Sequence, residues 1–384
     1  MQSAFFDNPP DRIGQCSLKW GKYEASDVIP LWVADMDFKS PPAVLDQAKV
    51  SAEHGNFGYG RPPSKLIERI VRRSEKLYNW SIDPNWIVWL PGMVCALNVT
   101  CRALLGESSQ AIIQTPIYPP FLSASKNFDI PLDKVPLVLR DKRFSIDFDA
   151  LAVLETKPGD LFMLCHPHNP VGTLFNQDEL CQLIEWLLER NLYLCSDEIH
   201  CDLILEKEFK HLPPASLDSR ISDRTITLMA PSKTFNIAGF GCSFAIIENS
   251  SLRAKFKKAM QGIVPDPPAM GFLLADAAYR DGERWRMELL DYLKGNRDYA
   301  MRQLVEIEGL VPYSPEATYL MWIDARNLPV SNPHKFFEEN GVGLSDGRDF
   351  DAPGFLRLNL GCSRELLTEA LSRMENACQQ LSIK

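Results

Sequence analysis

The sequence predicts an α/β protein of two domains: a large one built on a mostly parallel mixed sheet and a smaller α+β one. Three observations carry this. The chain has 384 residues, enough for two sizeable cores. Its middle alternates short apolar runs with amphipathic stretches, the pattern of βαβ units. After about residue 285, helical patterns instead surround two strand candidates. The expected division is 1–45 as an N-terminal segment contributing to the small domain, 46–285 as the large domain and 286–384 as the small domain.

In chain order, the large-domain strand candidates are Ile87–Leu90, Ala111–Gln114, Leu161–Cys165, Leu192–Ser196, Thr225–Met229 and Ser243–Ile247. Between two of them, residues 177–190 place Leu180, Leu183, Ile184, Leu187 and Leu188 on one helical face. Asn176 with Glu179 three residues later predicts a capping box at its start. Strand, helix, strand at this spacing requires a crossover and therefore a parallel pair. In the C-terminal part the strand candidates are Tyr319–Ile323 and Phe355–Leu358. A last amphipathic helix follows, with Ser363 as N-cap and Leu366, Leu367, Ala370, Leu371, Met374 and Leu381 on its apolar face.

Composition narrows the function classes. The net charge is −9, from 41 basic and 50 acidic residues. No basic surplus is available to neutralise phosphates, which argues against nucleic acid as a partner. No apolar run approaches the ~18 residues needed to span a bilayer. The start, Met1-Gln2-Ser3-Ala4-Phe5-Phe6-Asp7, shows neither a basic leader nor a long apolar core. Ten cysteines are scattered without a CxxC, several in apolar runs, and read as reduced, packed thiols of a cytoplasmic protein.

In open α/β sheets, ligands bind outside the carboxyl ends of the parallel strands. After the first candidate strand comes Pro91-Gly92-Met93-Val94, opening a helix. After the second comes Thr115-Pro116-Ile117-Tyr118. The third is followed by His166-Pro167-His168-Asn169-Pro170-Val171-Gly172, the fourth by Asp197-Glu198-Ile199-His200 and the fifth by Ala230-Pro231-Ser232-Lys233-Thr234-Phe235-Asn236. Five strand ends thus present a helix start, an aromatic, an amide, a carboxylate and a lysine.

That set matches the functional groups of pyridoxal 5′-phosphate (PLP). A lysine forms an imine with its aldehyde. A carboxylate keeps its ring nitrogen protonated, which makes the ring an electron sink. Asn169 can steady the phenolate oxygen, Tyr118 can stack on the ring, and the helix start at Gly92 can hold the phosphate with backbone N–H groups. Taken singly, each residue has a plainer reading: Lys233 as a solvated surface lysine, Asp197 as a cap, Asn169-Pro170 as a turn, Tyr118 as core or rim, Gly92 as a turn. His166 and His168, spaced H-x-H, lack nearby third and fourth ligands for a metal. The co-occurrence of all five groups at consecutive strand ends favours the cofactor.

With these segments in view, the chain resembles the fold type I PLP enzymes, the aspartate aminotransferase superfamily. Within it the sequence is similar to the cystathionine β-lyase branch often called MalY/PatB. The superfamily set is Asn169-Pro170-Val171-Gly172, Asp197 and Ser232-Lys233. Branch-specific segments are Leu31-Trp32-Val33-Ala34-Asp35-Met36-Asp37 and Ala230-Pro231-Ser232-Lys233-Thr234-Phe235-Asn236. Phe57-Gly58-Tyr59, Gly295-Asn296-Arg297-Asp298-Tyr299, Pro315-Glu316-Ala317-Thr318-Tyr319-Leu320 and Phe355-Leu356-Arg357-Leu358-Asn359 extend the resemblance to nearly the whole chain. It implies the aspartate aminotransferase-like fold and a homodimer with shared active sites.

By the same resemblance, Lys233 holds the cofactor and moves the substrate α-proton, and Asp197 pairs with the pyridinium. Asn169 and His200 address the phenolate side, Tyr118 stacks on the ring, and Arg357 takes the α-carboxylate of an amino acid substrate. Ser232 and the backbone of Gly92, Met93 and Val94 form the phosphate cup, which Tyr59 of the neighbouring subunit completes. There are departures. Residues 237–241 lack the phosphate-binding arginine that many aminotransferases carry, as the branch also does. His166 stands where relatives usually have Asn, Phe240 where they have Leu, Asp351 where they have Gly and Ser363 where they have Pro. The stretch 264–268 is rich in proline, and it and His166 are the departures expected to bear on substrate choice. The expected reaction is β-elimination from cystathionine or related cysteine S-conjugates to pyruvate, ammonia and a thiol. Transamination is the main alternative, and a PLP-binding regulatory or interaction protein the other.

Overall fold

The computed structural model describes residues 3–381; the first two and last three positions of the expected domain ranges lie outside the described residues. Seven strands form the larger sheet: β1 (Ile87–Leu90), β2 (Ala111–Thr115), β3 (Leu132–Pro136), β4 (Leu161–Cys165), β5 (Tyr193–Asp197), β6 (Thr225–Met229) and β7 (Ser243–Ile246). Their spatial order is β1-β7-β6-β5-β4-β2-β3. The run β6-β5-β4-β2-β3 is parallel throughout, and β7 is antiparallel to both β1 and β6. The sheet is therefore mixed and mostly parallel. Strands β2, β4 and β6 are buried at every position, which is why they read as unbroken apolar runs rather than alternating ones.

The crossover helix α1 (Met93–Leu104) follows β1, and α2 (Gln177–Glu189) joins β4 to β5. The capping box is formed: Asn176 accepts from the N–H of Glu179, and Glu179 accepts from the N–H of Asn176. Several boundaries differ from expectation by one residue, and two of them have a visible cause. Strand β5 starts at Tyr193 because the N–H of Leu192 turns back to Leu187 O (3.0 Å), closing α2. The strand expected from Tyr319 starts at Leu320, because Thr318 sits at φ +73°. The edge strand β3 was not expected, since Leu-Asp-Lys-Val-Pro is too polar to stand out.

A four-stranded antiparallel sheet, β8 (Val311–Tyr313), β9 (Leu320–Asp324), β10 (Ser345–Asp346) and β11 (Phe355–Asn359), has the order β8-β9-β11-β10. Two long helices accompany it, α3 (Glu283–Leu304) and α4 (Arg364–Leu381). Ser363 Oγ accepts from the N–H of Leu366 (3.2 Å), as an N-cap does. The N-terminal segment joins this part: Ile29–Pro30 pairs in parallel with Val342–Gly343. Leu31, Met36 and Phe38 share one core with Leu289, Leu293, Tyr319 and Leu358. Lys19, with no exposure, is neutralised by Asp37 at 2.8 Å, and Arg12 bridges Asp35 and Asp37. These ion pairs hold the segment 31–37 across the carboxyl ends of the parallel strands. Among the described residues no helix is long and apolar enough to cross a membrane.

Candidate active site

One cavity of about 170 Å³ opens at those strand ends. Gly92, Met93, Val94, Tyr118, Asn169, Asp197, His200, Ser232 and Lys233 all line it, together with Ala34. Each is delivered by local structure. The N–H of Ala96 is bonded to Gly92 O at 3.1 Å, which leaves the preceding N–H groups of α1 without helical partners at the rim. Tyr118 is fixed by its N–H to Asn169 O (3.0 Å). Gly172, at φ +73°, lets the 315–317 segment approach: a Cβ there would lie 2.3 Å from Pro315 Cβ. Its carbonyl accepts the N–H groups of Glu316 and Ala317, both at 3.0 Å. Gly241, at φ +52°, similarly leaves room for Pro91 O. The Asn-Pro-Val-Gly motif thus joins the two sheets beside the cavity.

The electrostatics are those of a site with unmet charges. Asp197 is buried and accepts one hydrogen bond, from the N–H of Ile199 at 3.1 Å. Burial pushes its carboxyl up to about 7, the Ile199 N–H opposes this, Glu198 adds to it and Lys233 counters it. Lys233 Nζ donates to Ala34 O at 2.6 Å. Burial first and then Arg357 bring its amine down to about 8, against the pull of Asp35 and Asp197. His200 is held neutral, near 3, by burial and by the positive charges of Lys233 and Arg357.

Arg357 lies behind this wall, 5% exposed. Its Nη1 donates to Asn169 Oδ1 (2.9 Å), and its Nη2 donates to Trp32 O (2.9 Å) and Ser345 Oγ (3.1 Å). Its guanidinium sits 4.6 Å from the Phe350 ring centroid, and its Nε has no partner. Among the described residues no carboxylate pairs with it, so it is not the structural ion pair that a buried arginine otherwise requires. Burial lowers it to about 10.

Apart from Arg357, which stands behind the wall, Tyr59 is the sequence candidate that does not line this cavity. It is fully exposed and lines a separate groove with Phe57 and residues 265–270, the proline-rich stretch among them. His166 and His168 are buried, His168 on Pro116 O at 2.8 Å. Among the described residues no three His, Cys, Asp or Glu side chains are placed to hold a metal ion. Sequence reasoning gave no role to Ala34, Trp32, Tyr319 or Ser345. Tyr319 shares the Ala34 carbonyl with Lys233, its hydroxyl at 2.8 Å. Ala34, Trp32 and Tyr319 lie in the quoted motifs, which was the available signal; Ser345 had none.

The donor set fits PLP. A buried carboxylate lacking a cation suits a protonated ring nitrogen. An amine near 8 suits imine chemistry, and free helical N–H groups suit a phosphate. Residues 26–374 match the model of the family described as aminotransferase class I and II. The chain belongs to that family. Among its relatives, cystathionine beta-lyase PatB of Bacillus subtilis (strain 168) is 35% identical over 97% of this chain and 99% of its own. The crystal structure of OvoB superposes with TM-score 0.94 at 42% identity, covering 97% of this chain and 98% of that one. The PLP-bound C–S lyase from Staphylococcus hominis gives TM-score 0.88 at 30% identity, covering 97% of both chains. This member of the aminotransferase family therefore has relatives named as lyases along its full length.

Proposed function

We propose that the protein is a PLP-dependent carbon–sulfur β-lyase acting on cystathionine or a related cysteine S-conjugate. The observation that carries an amino acid substrate is Arg357: a buried guanidinium without a carboxylate partner, bonded to an amide of the cofactor cavity. The names of PatB, 35% identical, and of the Staphylococcus hominis C–S lyase, 30% identical, support elimination over transamination.

Bound PLP supplies the electron sink for the pair released when the substrate Cα–H bond breaks. The protein does the rest. Arg357 would bind the α-carboxylate by its charge and by the Nη1 N–H that Asn169 leaves free, which helps fix the position of Cα. Asn169 Oδ1 is committed to Arg357, so its Nδ2 is the group left to donate to the cofactor phenolate. His200 lines the same wall as a neutral imidazole. Of the residues lining the cavity, Asp197 would meet the ring nitrogen, Tyr118 would face the ring, and Ser232 with the Gly92–Val94 backbone would hold the phosphate. Lys233, with its amine brought down to about 8, would be roughly one-tenth free base at pH 7, far more than an ordinary lysine, and so able to accept the Cα proton at Nζ. The Cβ–S bond then breaks, and with water the products are pyruvate, ammonia and a thiol, which from cystathionine is homocysteine.

The remaining parts of the proposal are a homodimer, a division at about 45 and 285, and a cytoplasmic setting. The exposed Phe57-Gly58-Tyr59 segment supports the dimer, since both aromatic side chains stand out from their own chain. The ten free cysteines support a reducing compartment. The test is incubation with cystathionine in the absence of any keto acid. Pyruvate formation is the expected result; turnover only with a keto-acid acceptor means an aminotransferase, and a coloured but inert protein means neither.

A further inference from the structure

Behind Asp197, on the side away from the cavity wall it lines, lies a second carboxylate that the reaction does not use. Glu198 is fully buried. Its N–H continues the sheet ladder to Leu228 O at 2.8 Å. One side-chain oxygen accepts from Ser196 Oγ (2.8 Å), and the other lies 2.6 Å from His211 Nε2. His211 arrives from the loop after the strand-end turn, and its ring is clamped. His166, from the end of β4, lies against it at 4.6 Å between centroids, and Tyr78, from helix Ser64–Tyr78, meets it edge-on at 5.4 Å. His166 is backed in turn by Phe175, stacked at 5.7 Å and 15°. The N–H of His166 donates to Asp197 O at 2.9 Å, so the clamp and the cofactor-facing carboxylate are built on paired strand ends.

We propose that His211 is a positioning residue for the cofactor site: its hydrogen bond to the Glu198 carboxylate (2.6 Å) weakens the opposition of this second carboxylate to ionisation of Asp197. This rests on the reading that Asp197 pairs with the PLP ring nitrogen. Two adjacent buried carboxylates raise each other's proton affinity, and a nearby proton donor relieves this. Glu198 is among the groups that already push Asp197 up. The other groups around the pair do not replace His211. Cys201 and Asp202 follow in the turn, and Asp202 is engaged by Tyr78 and Arg73. Toward Asp197 the facing groups are Lys233, Tyr118 and Cys165.

The experiment measures the PLP dissociation constant of the full chain against pH by equilibrium dialysis, with Cα–H exchange of L-alanine in deuterated water as a second readout. Wild type should show an acid limb where Asp197 takes up its proton. In His211→Asn the limb should move up by about one pH unit, about ten-fold weaker cofactor binding at a pH on the limb. Adding Glu198→Gln should return it, which a merely structural role for His211 would not do. An unmoved limb in His211→Asn, or no return in the double variant, overturns the proposal. If His211→Asn does not fold, Glu198→Gln alone keeps the shape and removes the charge. It should move the limb down, and an unmoved limb again overturns the proposal. Asp197→Asn separates the two layers: if it keeps the wild-type limb, the pairing of Asp197 with the ring nitrogen falls, and this inference with it.

Discussion

Replacing Arg357 by Lys keeps a positive charge and removes the planar fork. Arginine at this site has three hydrogen bonds to the protein, to Asn169, Trp32 and Ser345, and a ring face from Phe350. These fix the guanidinium plane, so its remaining donor directions are set before substrate arrives. A lysine ammonium is a point donor that cannot keep these three bonds and also present an N–H at the same place. Loss of one charge-assisted hydrogen bond costs about 2–3 kcal/mol, or about 30- to 150-fold in kcat/KM. The expected change falls chiefly on KM, because the carboxylate is held before and during the reaction alike. Cofactor retention should change little, since Asn169 remains in place through its own backbone bonds to Tyr118 and Cys165. The assay is steady-state pyruvate release from cystathionine, with PLP content measured on the same preparations. An unchanged KM, or loss of PLP with KM preserved, refutes the carboxylate role.

Other outcomes follow from the same geometry. The rise of Asp197 from 3.8 to about 7 amounts to about 4 kcal/mol against its charged form in the cofactor-free protein at neutral pH. A carboxyl raised on folding stabilises below its unfolded value, and that stability is lost as pH rises through about 4 to about 7. Asp197→Asn should therefore raise the melting temperature of the cofactor-free protein at pH 8 but not at pH 4; equal shifts at both would contradict this. With cofactor bound, the same variant should retain PLP yet exchange the Cα proton of substrate about 10²-fold or more slowly, and near-wild-type exchange would remove Asp197 from the chemistry. Mixing Tyr59→Phe with Lys233→Ala subunits should yield hybrid dimers with one intact site. No recovered activity, with subunit exchange verified by mass, would argue against a site shared between chains.

Much of the site was legible because parallel strands deliver their chemistry at one end. With Ile87–Leu90, Ala111–Gln114, Leu161–Cys165 and Thr225–Met229 read as strands, the residues after each are already neighbours in space. The antiparallel direction of β7 was not legible, since apolar periodicity carries no sign of direction, and the polar edge strand β3 was missed for lack of an apolar run. Contacts formed by long closures were equally hidden. Arg357 meets Asn169 across 188 residues, and Lys233 meets a backbone carbonyl at Ala34 across 199. No side-chain pattern announces a carbonyl. The Glu198–His211 pair was hidden for another reason: both residues face inward from a strand-end turn and its loop, where local sequence gives no periodicity.

Lys233 is the residue proposed to hold the cofactor, and the rest of the site is arranged around it. Borohydride reduction of the coloured protein fixes an imine as a stable secondary amine, and peptide mapping then locates it. The expected result is one PLP per chain on the peptide containing Ser232-Lys233-Thr234, with none trapped in Lys233→Ala. An adduct on a different lysine, or undiminished trapping in that variant, would contradict it.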